Sequence, residues 1–159
     1  MTHTQVRLRP ATQDEFDDWL PRQQAAYAEQ IVASGWMPAK QAREKAALDT
    51  ARAFAHGLGS PGQFVFRLVV RGEPVGWLWL AVPHTDNDPE MAWVNDVEID
   101  AAYRGRGLGR QAMLLAEQEA RKRGMTSIGL NVHGQNTVAR ALYDSLGYQI
   151  MTQQLKKPL

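Results

Sequence analysis

The sequence predicts a mixed α/β domain, a central sheet flanked by helices. Three observations carry this. Apolar/polar alternation in Val97–Asp100 runs into three glycines at every second position, Gly105, Gly107 and Gly109, and then straight into a helical pattern. A second strand-then-helix pair follows at Ser127–His133 and Asn136–Leu146. Ahead of both stand one strand, two helical patterns and a pair of strands. The predicted order is β-α-α-β-β-β-α-β-α-β.

Taken in turn, Gln5–Arg9 reads as a first strand that stops at Pro10. Thr12 and Glu15 have the spacing of a capping box, so a helix starts near Gln13. Pro21 is expected to kink or split it, and Trp19, Tyr27 and Ile31 to form its buried face. Gly35-Trp36-Met37-Pro38 breaks the chain. A second helix is predicted over Ala39–His56 with Ala47, Leu48, Ala51, Phe54 and Ala55 inward. Leu58–Gly62 is a turn cluster. Phe64–Val70 and Val75–Val82 read as strands joined in a hairpin across Arg71–Pro74. Trp77 and Trp79 share one face of the second, a spacing that reads as core. His84–Pro89 is a polar loop, and Met91–Asp100 the central strand. The helix after the glycines has Ala112, Leu115, Ala116 and Ala120 on one face, and Gly124 ends it behind Arg121-Lys122-Arg123. Asn136 can cap the next helix and Gly147 can end it. A last strand is expected at about Tyr148–Leu155.

Composition narrows the function. The 159 residues suit a single domain, 1–159, with a proper core. The absence of cysteine excludes disulfides, thiolate zinc sites and a cysteine nucleophile. His3, His56, His84 and His133 lack metal-ligand spacing, so no metal is expected. The N-terminus is polar and no apolar run approaches a membrane span, so neither a signal peptide nor a membrane partner is expected, and a cytoplasmic location fits. Charge is uneven. Residues 101–159 carry nine basic and three acidic side chains, whereas residues 61–100 carry two and seven. The basic part suits a polyanionic ligand. The stretch Asp86–Asp100, with no Lys or Arg, suits a cationic partner or plain solvation. A pI of about 8.1 with interrupted basic runs argues against a nucleic-acid partner.

A strand, glycine turn and helix place unpaired backbone N–H groups and a positive dipole end where a phosphate can sit. Glycines let phosphates approach the main chain, and Arg104, Arg106 and Arg110 add charge. A dinucleotide fingerprint fails at Arg110, where its third glycine belongs. A triphosphate loop lacks its Lys-Ser/Thr. The pattern R-x-x-G-x-G is met by Arg104, Gly107 and Gly109, and an Arg/Gly turn without ligand is the plain alternative. The first of these resembles the pyrophosphate signature of the GNAT superfamily of N-acetyltransferases. N-x-x-A-x-x-L-Y-x-x-x-G-Y, from Asn136 to Tyr148, resembles the second hallmark of that family. The close likeness covers roughly Trp93–Tyr148.

The resemblance implies the GNAT fold, in which the strands at Met91–Asp100 and Ser127–His133 splay apart to admit the cofactor. It implies acetyl-CoA as cosubstrate, with the pyrophosphate at Arg104, Gly105, Arg106, Gly107, Leu108, Gly109 and Arg110. Val97 and Ile99 would offer backbone groups to the pantetheine arm, and Asn136 would contact that arm, cap its helix, or both. Tyr143 becomes the candidate general acid beside the sulfur. The general base is open. Asn131 stands where some relatives place a glutamate and cannot accept a proton. Glu98 and Asp96 on the central strand are the catalytic carboxylate candidates, Glu98 preferred, with their facing dependent on whether the strand bulges. The function implied is N-acetyl transfer to a primary amine, of a small molecule or of a protein, by direct attack in a ternary complex. The alternative is a catalytically weak acyl-CoA-binding module. The acceptor's cationic character, and monomer against homodimer, are left open.

Overall fold

The computed structural model describes residues 4–159; His3 lies outside them. The elements are β1 (Val6–Pro10), α1 (Gln13–Ala33), α2 (Ala39–Ala53), β2 (Gln63–Val70), β3 (Glu73–Ala81), β4 (Met91–Ile99), α3 (Leu108–Lys122), β5 (Ser127–Leu130) and α4 (Thr137–Ser145). They fall into two compact units, one of residues up to 18 with 53–131, the other of residues 19–52 with 132–159.

The first unit holds a mixed sheet of order β1-β2-β3-β4-β5, antiparallel up to β4 and parallel between β4 and β5. β2 and β3 are joined by Arg71 and Gly72, both at positive φ (52° and 86°). That is the two-residue turn whose twist matches a hairpin. Leu68, Leu78 and Leu80 are fully buried on one sheet face. α3 covers that face: Arg123 lies over the Phe64 ring at 4.0 Å, and the Gln111 side chain accepts from Val6 N–H at 2.9 Å. On the other face Phe54 packs on Trp79 (ring centroids 4.8 Å) and Phe16 meets Phe54 edge-on at 5.0 Å. Trp77 and Trp79 are thus core, as their spacing predicts.

The start of α1 is a complete capping box. Thr12 N–H donates to Glu15 Oε2 (2.9 Å), and Glu15 N–H donates to Thr12 Oγ1 (3.2 Å). Pro21 does not split α1, which runs unbroken through it. The proline removes one backbone bond, to Asp17, but both residues are exposed, so water can satisfy the carbonyl.

In the second unit Ala28 and Ile31 of α1 pack on Ala42 and Ala46 of α2, flanked by Tyr27 and Met37. The inward face of α2 is therefore Ala42, Ala46 and Thr50. Ala47, Leu48, Ala51 and Ala55 are exposed, against expectation; Phe54 alone of the expected set is buried. Small alanines allow close helix approach, and the Thr50 hydroxyl is satisfied by donating to Ala46 O or Gln24 Oε1. α2 also ends earlier than His56, giving way to a short 3₁₀ turn at Gly57–Gly59.

The expected last strand, Tyr148–Leu155, does not form. Ile150, Met151 and Leu155 are 67, 87 and 92 % exposed. A strand forms only where a neighbouring strand supplies its hydrogen bonds.

Candidate active site

The glycine turn starts where β4 ends. Asp100 N–H is held by Val75 O (2.8 Å), and a 3₁₀ turn, Ala101–Tyr103, follows. Gly105 and Gly107 have φ of 75° and 74°, and Gly107 is the N-cap of α3. A Cβ on either would meet nothing within 4 Å. Backbone shape, not crowding, is what requires glycine there. Leu108 is buried and anchors the helix start. Gln111 N–H bonds Gly107 O at 3.3 Å, so the amides of Leu108, Gly109 and Arg110 precede the first intrahelical bond. The turn thus offers an anion a set of amide donors and the positive end of a 15-residue helix.

The arginines divide their work. Arg104 folds back on the strand: its Nε donates to Ile99 O (2.8 Å) and its guanidinium stands 3.9 Å from Glu98. Arg106 donates to Ala102 O (3.2 Å) and lies over the Tyr103 ring. Arg110 is exposed on the first turn of α3.

β4 carries the bulge on which the facing of its carboxylates depends. Trp79 pairs with Asp96 but Leu80 with Val94, so Asn95 is the extra residue. Asp96 and Glu98 lie beyond it and share a face, opposite Trp79 and Trp77 respectively. The bulge also puts Asp96 on the same face as Trp93, which pairs with Ala81. Pairing with β5 covers only Met91–Val94, against Ser127–Leu130. The strands part at the bulge, leaving the β5 side of Val97–Ile99 outside the β4–β5 ladder.

Asp96 and Glu98 differ in setting. Asp96 keeps part of its surface open but is deep enough that burial, aided by the negative charge of Glu98, pushes its carboxyl up to about 7. Glu98 is exposed, with the Arg104 guanidinium nearby.

Near Asp96 stand groups that the motifs do not mark. Trp93 is half-buried. His84 stacks on its ring, with centroids 4.1 Å apart and planes 15° apart. His84 N–H is tied to Met91 O, and burial lowers the imidazole's pKa, favouring the neutral ring. A Cβ on Gly129 would lie 2.6 Å from Trp93 Cζ3, so the indole lies against a strand position with no side chain. A glycine inside a strand pattern signals such an approach.

In the second unit the Asn136 side chain caps α4, accepting from Ala139 N–H at 3.2 Å. At the other end Tyr148 N–H bonds Tyr143 O (3.0 Å), Gly147 N–H bonds Asp144 O (3.1 Å), and Gly147 has φ 89°. This is a Schellman cap, completed by the Tyr143 and Tyr148 rings. Tyr143 is half-buried, Asn131 exposed, and His133 half-buried with its pKa lowered by burial. Among the described residues, no group of three His, Asp or Glu side chains is arranged to hold a metal, and no helix is long and apolar enough to cross a membrane.

The model of the Acetyltransferase (GNAT) family matches residues 13–148. The uncharacterized N-acetyltransferase YycN of Bacillus subtilis is 31% identical over 150 residues, covering 91% of this chain and 92% of that one. Its crystal structure superposes with a TM-score of 0.88 at 28% identity, covering 97% and 98% of the two chains. The uncharacterized N-acetyltransferase YdgE of the same organism is 28% identical over 153 residues, 96% of this chain and 97% of that one. The fold also matches AAC(6′)-Iy, solved with the bisubstrate analog CoA-S-monomethyl-acetylneamine, at a TM-score of 0.62 and 14% identity, covering 97% of each chain.

Proposed function

We propose, for a chain that belongs to the GNAT family of acetyltransferases, that it moves the acetyl group of acetyl-CoA to a primary amine by direct attack, with Asp96 as the base. The carrying observation is the setting of Asp96: a carboxyl raised to about 7, beside the bulge where β4 parts from β5. An amine at neutral pH is mostly protonated and cannot attack a carbonyl carbon. Asp96 takes that proton, and a pKa near the working pH is the best compromise between being ionised and being basic. This departs from the sequence-level preference for Glu98. That side chain is solvated and stands near Arg104, a position that suits it to steadying the glycine turn.

Acetyl-CoA supplies the acyl group as a thioester. The residues present suit such a ligand: amides at the start of α3 for the pyrophosphate, and the β4 edge at Val97 and Ile99 for the peptide-like arm. Tyr143 is assigned the proton returned to the departing thiolate, and Asn136 the arm contact alongside its cap. Proton and acyl group then balance: the ammonium nitrogen loses one proton to Asp96 before attack and a second from the tetrahedral intermediate, the sulfur leaves with the Tyr143 proton, the second nitrogen proton restores the Tyr143 hydroxyl, and Asp96 releases its own to solvent. The acidic residues of the loop before β4, Asp86, Asp88 and Glu90, support a cationic acceptor. Free CoA released from acetyl-CoA against an amine panel tests the assignment. An acyl-CoA-binding module without catalysis would bind acetyl-CoA and release none.

A further inference from the structure

Resting on that reading of Asp96, we propose that Trp93 is the acceptor-recognition residue, and that the acceptor is an amine carried on an aromatic or apolar stem. Three indoles surround Asp96 on its face of the sheet. Trp79 is directly across the ladder, Trp77 is next to it opposite Glu98, and Trp93 is the neighbour on the same strand. Two of them are spoken for. Trp77 is buried, with the Arg67 guanidinium over its ring at 4.2 Å. Trp79 is buried against Phe54, and its Nε1 donates to Gln63 at 2.7 Å. Trp93 alone of the three keeps an open part.

Its position is built, not incidental. The stacked His84 ring holds the indole on one side, and its own main chain is fixed to Met91 O. On the β5 side Gly129 leaves room that any Cβ would remove. The bulge at Asn95 then sets the register, so that Trp93 and Asp96 point from the same face as consecutive same-side positions. Their partners on β3, Trp79 and Ala81, are two residues apart, a step of about 6.6 Å, and the bulge lets Trp93 and Asp96 span that step with one extra residue. A nitrogen within hydrogen-bond reach of Asp96 therefore has its first few stem atoms against the indole. A flat or apolar stem gains contact and displaces water there, and an ammonium approaching Asp96 also passes near the ring's electron-rich face. A short hydroxylated amine gains neither.

The test compares kcat/KM for 2-phenylethylamine and ethanolamine, by CoA release from acetyl-CoA, in the full chain. The wild type should prefer 2-phenylethylamine by about tenfold or more. Trp93→Ala should collapse that ratio, chiefly through KM for 2-phenylethylamine, and Trp93→Phe should restore most of it. Gly129→Ala, which pushes the indole aside without deleting it, should lower the ratio as well and covers the case in which Trp93→Ala fails to fold. Equal turnover of the two amines by the wild type, turnover of neither, or a ratio unchanged in the folded variants overturns the proposal. Asp96→Asn run in parallel separates the two ideas. An altered pH profile there with an unchanged Trp93→Ala ratio removes the acceptor inference and leaves the base intact.

Discussion

Tyr143 and Tyr148 meet edge to face, ring centroids 5.8 Å apart with planes at 60°, across the cap that ends α4. The spacing L-Y-x-x-x-G-Y thus has a conformational reason besides any chemical one. Tyrosine, glycine and tyrosine are the three positions a Schellman cap needs for its ring contact and its left-handed turn.

That double duty separates two variants. Tyr148→Ala removes the ring contact and should lower the thermal midpoint while leaving a measurable kcat. Tyr143→Phe keeps a ring of the same shape and removes the hydroxyl. Its kcat should fall about 10²–10⁴-fold, the usual loss for a general acid, with acetyl-CoA affinity retained. Full kcat in Tyr143→Phe would leave this tyrosine a capping residue only.

At Gly107 a valine would find open space but would have to hold φ near +74°, which costs an L-residue roughly 1–2 kcal/mol. The turn should relax to a different shape and misdirect the amides of Leu108, Gly109 and Arg110. Calorimetry should show acetyl-CoA affinity lost from Gly107→Val while circular dichroism stays native. The wild type, at about a hundred times Kd, should gain roughly 2.7 kcal/mol from acetyl-CoA and far less from NAD. Equal stabilisation by NAD would revive the dinucleotide reading that fails at Arg110.

Local signals were the legible ones. The capping box at Thr12 and Glu15, the glycine turn and the cap at Asn136 each close within a few residues, so a short window contains all their partners. Features that depend on partners far along the chain leave no such local signal. The sequence predicts Ala47, Leu48, Ala51, Phe54 and Ala55 as the inward face, yet α2 turns Ala42, Ala46 and Thr50 inward; with alanines on both faces, periodicity alone does not choose between them. The strand predicted at about Tyr148–Leu155 is absent because no neighbouring strand pairs with it. The bulge at Asn95 depends on the register of β3, and the Trp93–His84–Gly129 arrangement joins a loop and two strands. Only the glycine within β5 hinted at it.

Glu15 should make the fold acid-sensitive. The Arg9 guanidinium, donating at 2.7 and 3.0 Å, holds its carboxyl down at about 2, with help from Thr12. A depressed folded value means stability present in full above the ordinary 4.5 and lost as pH falls toward 2. Glu15→Gln should cost about 1 kcal/mol at neutral pH, for cap and partly exposed pair together. Denaturation midpoints of the two proteins should converge as pH drops through that window. A gap independent of pH would mean that the charge of Glu15 contributes nothing beyond its shape.

Asp96 predicts the opposite sign. Its folded value, about 7, lies above the ordinary 3.8, so between the two the native state holds a proton that the unfolded chain has released. Stability from this group therefore falls as pH rises from about 4 to about 7 and is flat above. Asp96→Asn abolishes that slope, so relative to wild type it should gain stability between pH 5 and pH 8. Its kcat/KM should show the reverse consequence. The wild type should rise with pH through an apparent pKa near 7, and Asp96→Asn should lose that limb with about 10²–10⁴ of its rate. Glu98→Gln is the control. It should keep the limb and weaken only the brace to Arg104, which shows as a modest loss of acetyl-CoA affinity. A limb that survives in Asp96→Asn and disappears in Glu98→Gln would return the base to Glu98. A limb that survives in both would place the titrating group outside β4.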